Sequence, residues 1–223
     1  YGLDKVTSLI KGEEGTDVTI TILRNGKKYN YTLKRATIKL NPVTYEIIPG
    51  TKVGYVKISS FNANSIEEFD KAMIALGDKG IKKVVVDLRN NLGGYMSAAV
   101  AVASYFVPTG ELIVTEEYKN PKKNLSHHAK ETKYKFKGVV LINEYSASAS
   151  EVVAGALKDT GTATIVGKTS YGKGTVQTYT LLRSNQYMWY TVAEYYTPSH
   201  NTIHKVGIKP DYIITNKYFN SLI

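Results

Sequence analysis

The sequence predicts an α/β fold, and three observations carry that prediction. Short apolar runs rich in β-branched residues recur at Lys83–Leu88, Val139–Ile142 and Ala163–Val166, each the length of a buried strand. Two of these runs break into a turn of glycines or serines and then into a small-residue apolar stretch of helical length, Tyr95–Phe106 and Glu151–Leu157. Alternating patterns, the mark of half-buried strands, flank this core at Val18–Ile22, Thr175–Leu182 and Tyr187–Thr197.

Composition sets the outer bounds. A chain of 223 residues holds one sizeable domain, or one domain and a fragment. It contains no cysteine, which excludes a disulfide, a thiolate metal site and a cysteine nucleophile. The net charge of +10 raises nucleic acid as a partner, but the lysines are scattered and no recognition motif accompanies them. The densest patch, Lys119–Lys123, sits with Asn120 and Pro121 in a loop and reads as a solvated basic face, so no nucleic acid is expected. His127-His128 lacks a third ligand at metal spacing, and neither a metal nor a cofactor is expected. No run is long and apolar enough to span a bilayer. No signal peptide is read at the start, and Tyr1–Val6 reads like the interior of a domain, so the chain is expected to begin inside a longer protein.

Taken in order, Val6–Ile10 predicts a short helix ending at Gly12, and Asn25-Gly26 predicts a hairpin between Val18–Ile22 and Tyr29–Leu33. Ala36–Gly50, with Pro42 and Pro49, predicts a linker or extended strand. Gly54–Ser59 predicts a strand. Ser65-Ile-Glu-Glu68 predicts a capping box opening a helix whose core face is Ile66, Phe69, Met73 and Leu76, with Gly77 or Gly80 ending it. Asp87 and Arg89, at the end of the next strand, either form an ion pair bracing the following turn or stay solvated. Residues 109–137 are polar and weakly patterned, and no element is predicted there. Gly167-Lys168-Thr169 suggests a phosphate loop, but Thr162 stands where the first glycine is required. A hairpin is expected around Ser184-Asn185-Gln186, and Pro198 and Pro210 mark loops that argue against a continuous final strand.

The chemistry concentrates in residues 138–177. After the run Val139–Ile142 comes Ser146-Ala-Ser-Ala-Ser150, which turns into the helix from Glu151. One of these serines therefore stands at a helix N-terminus, where unpaired N–H groups and the positive end of the helix dipole collect. Read by itself the cluster is a cap, because Glu151 follows Ser148 by three residues as in a capping box. Lys173 between Gly172 and Gly174 changes that reading. Flanking glycines let the backbone approach another element closely, as a lysine general base held in a tight, partly dry place requires.

Ser-Ala-Ser-Ala-Ser-Glu followed by Gly-Lys-Gly, with Gln177 four residues after the lysine, resembles the carboxyl-terminal processing proteases, or tail-specific proteases, S41-type serine peptidases with a Ser-Lys dyad. The resemblance selects the middle serine, Ser148, because Lys173 follows it at the family spacing (173 − 148 = 25), and it makes Gln177 the residue that orients the lysine. Asp87-Leu-Arg-Asn-Asn-x-Gly-Gly94 is similar to the family segment that supplies an oxyanion donor. That implies the Gly94 amide, with Gly93 the fallback, beside the Ala149 amide. Residues 1–35 resemble the C-terminal part of a PDZ domain, and residues 36–223 the peptidase core, for which the family implies stacked β-β-α units of the Clp/crotonase type. Cleavage of protein or peptide substrates near accessible C-termini is implied, with no metal and no cofactor. Relatives are usually exported, so an extracytoplasmic location is implied; a membrane anchor in the N-terminal region and a homo-oligomer stay open. The alternative is a gated or inactive PDZ-protease scaffold acting as a peptide-binding module. A Ser-His-Asp triad is disfavoured, since His127, His128, His200 and His204 stand in no recognisable motif and there is no Gly-x-Ser-x-Gly elbow.

Overall fold

The computed structural model describes residues 2–37, 41–183 and 186–215. The chain forms two compact units, residues 1–40 and 41–223. In the first, helix α1 (Leu3–Ile10) precedes the antiparallel pair β1 (Asp17–Arg24) and β2 (Lys27–Lys34). The turn between them is Asn25-Gly26, with φ of +50° and +75°, the conformation a two-residue hairpin turn needs at both centres. The Arg35 guanidinium closes the unit, donating to the Ile10 carbonyl at 2.8 Å and the Asp17 carbonyl at 2.9 Å.

The second unit runs β3 (Val43–Ile47), β4 (Val53–Ile58), α2 (Ser65–Asp78), β5 (Lys83–Asp87), α3 (Met96–Ser104), β6 (Leu112–Tyr118), β7 (Leu125–His128) and β8 (Lys137–Ile142). It continues through α4 (Ala149–Asp159), β9 (Ala163–Gly167), β10 (Thr175–Leu181), β11 (Tyr187–Tyr196) and β12 (Tyr212–Ile213). Six strands form one sheet in the order β12-β9-β8-β5-β4-β3, parallel except for β3. A second sheet, β10-β11-β6-β7, is antiparallel throughout. The parallel strands bury one face fully, with Val84, Val86, Val140, Ile142 and Ile165, and the other face partly, with Val85, Val139, Leu141 and Val166, which is why they read as continuous apolar runs. α3 packs on α2 and α4, and α4 packs on β6 and β9. Among the described residues no helix is long and apolar enough to cross a membrane.

Several expectations change on contact with the structure. Ser65 opens α2 but does not cap it. Its hydroxyl donates to the Ser60 carbonyl at 2.9 Å and accepts from the Asn62 N–H at 2.7 Å, bracing the preceding turn, while Asn64 is the flanking residue. Gly77 lies inside the helix, where the Tyr134 ring lies against it, and Gly80 (φ +74°) follows its end. Residues 43–47, left between linker and strand, form β3. The stretch 109–137 carries two strands, β6 and β7. Its pattern is concealed because a buried position of β6 holds Glu116, which receives the Tyr118 hydroxyl at 3.1 Å and lies 2.7 Å from His127 Nε2. The turn residues Ser184 and Asn185 lie outside the described residues; the strands on either side pair as expected, with Leu181 opposite Tyr187.

Candidate active site

Two strand-to-helix junctions meet at the C-terminal ends of neighbouring parallel strands, where ligands of open α/β sheets commonly sit. The first runs from β5 through Asn90–Gly94 into α3, the second from β8 through Asn143–Ser148 into α4. Their side chains interlock. The Asn90 N–H donates to Asn143 Oδ1 at 3.0 Å, and Asn143 Nδ2 donates to Asn90 Oδ1 at 2.8 Å. The Asn91 carbonyl accepts from the Ala147 N–H at 3.0 Å and the Ser150 hydroxyl at 2.9 Å. Below them Asp87 and Arg89 form a buried pair: the guanidinium and the Arg89 N–H grip the carboxylate at 2.6–3.0 Å, and the Tyr55 hydroxyl donates to it at 2.6 Å. The Asp87 partner raises the Arg89 pKa, and burial, then Asp87, raises that of Tyr55. The open choice between a bracing pair and a solvated one therefore resolves to bracing.

The three serines separate by what their hydroxyls do. Ser146 is buried and donates to the Leu88 carbonyl at 2.8 Å; Ser150 is buried and donates to Asn91. Both staple the junctions together. Ser148 is half-buried and lies at φ +56°, ψ −115°, a conformation that L residues rarely hold without a compensating environment. With Glu151 it forms the capping box its spacing predicts, the hydroxyl accepting from the Glu151 N–H, and among the described residues it donates to no carbonyl.

The junction geometry also separates the two glycines. A Cβ on Gly93 (φ +99°) would lie 2.6 Å from the Ala147 carbonyl oxygen and 2.8 Å from Ser148 Cβ, so Gly93 packs directly on the serine turn. Its N–H is engaged by Asn91 Oδ1 at 2.9 Å and its carbonyl by the Phe61 N–H at 3.0 Å. Gly94 (φ +143°) lies against the Phe61 backbone, and among the described residues its N–H has no partner. Ala149 is the first residue of α4, so its N–H also lacks an intrahelical partner. Two unused amides thus flank the Ser148 turn, one from each junction.

Lys173 is joined to Ser148 through backbone. The Glu151 side chain is wholly buried, and its two oxygens accept four bonds: Ser148 N–H at 2.8 Å, Lys173 N–H at 2.8 Å, Gly172 N–H at 2.6 Å and the Ser170 hydroxyl at 2.6 Å. The glycines beside Lys173 do allow a close approach. Gly174 lies against the His204 backbone, and a Cβ on Gly172 (φ +89°) would stand 3.2 Å from the Gly207 nitrogen. The lysine side chain departs from expectation. It is exposed rather than held in a dry place, and no hydrogen bond joins its Nζ to Ser148 Oγ among the described residues. Gln177 is exposed on β10, opposite Thr191.

Glu151 is the residue whose reach the sequence did not reveal. Its spacing from Ser148 announces a cap, and nothing local announces the bonds to 170–173. Three of the four histidines are engaged elsewhere: His127 with Glu116, His200 with Glu117 at 2.7 Å, and His128 with the Gly110 carbonyl at 3.0 Å; the fourth, His204, lies with its backbone against Gly174, and among the described residues its Nδ1 has no partner. Among the described residues no group of side chains is arranged to hold a metal ion. Four large side chains, Leu92, Tyr95, Tyr145 and Tyr171, stand exposed on the segments that frame Ser148.

The family model for peptidase family S41 matches residues 52–214. The chain is 36% identical over 217 residues to the carboxyl-terminal-processing protease of Synechocystis sp., covering 95% of this chain and 51% of that protein. It is 37% identical over 222 residues to a protein of Staphylococcus epidermidis described as a "Probable CtpA-like serine protease", covering 99% of this chain and 45% of that one. Among solved structures, the photosystem II D1 C-terminal processing protease superposes with a TM-score of 0.70 at 32% identity, over 95% of this chain and 59% of that one. The chain thus spans about half the length of the curated relatives it matches.

Proposed function

The chain belongs to peptidase family S41, and from that premise we propose that it is a serine endopeptidase that cleaves protein substrates near their C-termini with a Ser148-Lys173 dyad. The observation that carries this reading is the division of labour in the serine cluster: Ser146 and Ser150 are fixed to backbone carbonyls, and Ser148 alone sits strained at the helix N-terminus between two unused amides. In this mechanism Ser148 Oγ attacks the scissile carbonyl, neutral Lys173 takes its proton and returns it to the leaving amine, and water then repeats the cycle on the acyl-enzyme. Gln177 positions the lysine amine without adding a charge that would keep it protonated. The Gly94 and Ala149 N–H groups receive the oxyanion, each worth about 3–4 kcal/mol to the transition state. The engaged N–H of Gly93 supports Gly94 as the donor. Leu92, Tyr95, Tyr145 and Tyr171 offer apolar contacts to an extended substrate. The first unit is the C-terminal part of a PDZ domain, the core is of the Clp/crotonase type, and the site of action is extracytoplasmic; these three rest on family likeness.

The exposed Lys173 side chain favours a second reading within the same family: a gated core, in which the backbone of the dyad is assembled and the lysine swings in only when substrate or a neighbouring domain engages it. Cleavage of casein by the chain, by Ser148→Ala and by Lys173→Ala separates these readings. Turnover by the parent alone supports the dyad, and retained activity in Lys173→Ala sinks it. Silence from all three, followed by activity in a longer chain, supports gating.

A further inference from the structure

The ribbon formed by β10 and β11 leaves the core as it runs toward its turn. Tyr179, Leu181, Leu182, Tyr187, Met188 and Trp189 are each between 41% and 65% exposed. Among the described residues, both faces are uncovered. On one, the Tyr179 ring packs on Tyr187 and Trp189 with centroids 5.4 and 4.9 Å apart. The pairs Thr178–Tyr190 and Thr180–Met188 occupy the other. The uncovered part, from Thr178 to Leu182, is about 15 Å long at the rise of a strand.

The charge pattern is as unusual as the exposure. Between Asp159 and Glu194 the sequence has no acidic residue, and between Thr175 and Ala193 its one charged residue is Arg183, beside the turn; Glu194 lies at the far end of β11, away from the turn. The chain as a whole carries +10. A groove on a protein partner covers one face of a ribbon and would leave the other wet. A lipid–water interface surrounds both. Tyrosine and tryptophan, with an apolar body and a polar edge, are the side chains that settle at headgroup depth, with leucine and methionine beneath them. A chain of net charge +10 whose ribbon tip carries one arginine and no carboxylate is drawn to anionic headgroups within a Debye length.

We propose that the tip of the β10–β11 ribbon is a membrane-docking element that inserts Leu181, Leu182 and the Tyr179–Tyr187–Trp189 cluster into the interface of an anionic bilayer, with Arg183 on its phosphates. None of these residues belongs to the Ser148-Lys173 pair, and the proposal does not depend on the dyad. It places a hydrolase next to the membrane by its folded core.

Trp189 is the only tryptophan in the chain, so its emission reports on the tip alone. The probes are vesicles of phosphatidylcholine and vesicles of phosphatidylcholine with phosphatidylglycerol at 3:1. The expected result is a blue shift of Trp189 emission and co-sedimentation with the anionic vesicles, weakened by salt. Leu181→Glu should lower vesicle affinity at least tenfold, and Arg183→Glu about fivefold or more, in line with about 1 kcal/mol per basic residue at such a surface. Both positions are exposed, so the variants should fold as the parent does, which circular dichroism checks. No shift with anionic vesicles, or equal binding to neutral ones, overturns the proposal. So does a blue shift without vesicles that grows with protein concentration, which would make the ribbon a self-association surface, or one produced by casein, which would make it a peptide surface.

Discussion

The two junctions that build the site solve one problem with opposite residues. From β5 to α3 the chain turns on Gly93 and Gly94, which take φ of +99° and +143° without strain and leave room for the neighbouring turn. From β8 to α4 it turns on Ser148 at φ +56°, where a side chain is costly. The glycine junction is shaped to receive, because it exposes an amide and lets another backbone lie on it. The serine junction is shaped to present, because it sets a half-buried hydroxyl at the helix N-terminus. Buried bonds through Asn91, Ser146, Ser150 and Glu151 hold the strained side in place.

The contrast can be broken most severely from the glycine side. Gly93→Ala puts a methyl against the Ala147 carbonyl and Ser148 Cβ at a φ unsuited to alanine. Backbone strain and overpacking together should cost about 4 kcal/mol, seen as a lower midpoint in urea unfolding. Glu151→Gln should come next. The amide replaces one acceptor oxygen with a donor that faces N–H groups, so stability should fall by about 3 kcal/mol, and casein cleavage with it.

Ser148→Gly sharpens the comparison by making the second junction resemble the first. It should raise stability by about 1 kcal/mol, because it relieves the positive φ, and it should abolish cleavage. A loss of stability would mean that the hydroxyl is structural. The smallest effect lies far from both junctions, at Asp211. Burial pushes its carboxyl upward, and bonds from the Ile165 N–H and Lys158 outweigh this, leaving its pKa below the ordinary value. A depressed carboxylate stabilises the fold above its unfolded pKa, and the contribution fades as pH falls through the folded value. Asp211→Asn should therefore lower the melting temperature slightly at pH 7, with the gap to the parent closing as pH falls through the depressed pKa of Asp211, below the ordinary carboxylate range.

Local pattern carried much of this. The apolar runs of β5, β8 and β9 and the Asn25-Gly26 turn were legible because each depends on neighbours in sequence. The position of Ser148 at a helix start was legible for the same reason, though its choice among three serines came from family spacing. What depends on distant partners was not legible. β6 hides because Glu116 is buried by bonds to Tyr118 and His127, which breaks the alternation. The Ser65 hydroxyl turns back to Ser60 and not forward into its helix. Glu151 looks like half of a cap, and only the fold brings the Ser170 hydroxyl and the Gly172 N–H to its Oε1, and the Lys173 N–H to the Oε2 that also holds the Ser148 N–H. The exposure of Lys173 is likewise set by the packing of its loop, which glycine spacing alone does not determine.

The central claim, that Ser148 alone of its cluster is presented for chemistry, is tested most directly by a serine-directed fluorophosphonate with the adduct mapped by mass spectrometry. The account predicts a single adduct on Ser148, absent from Ser148→Ala. An adduct on Ser146 or Ser150, or equal labelling of the Ser148→Ala chain, would contradict it.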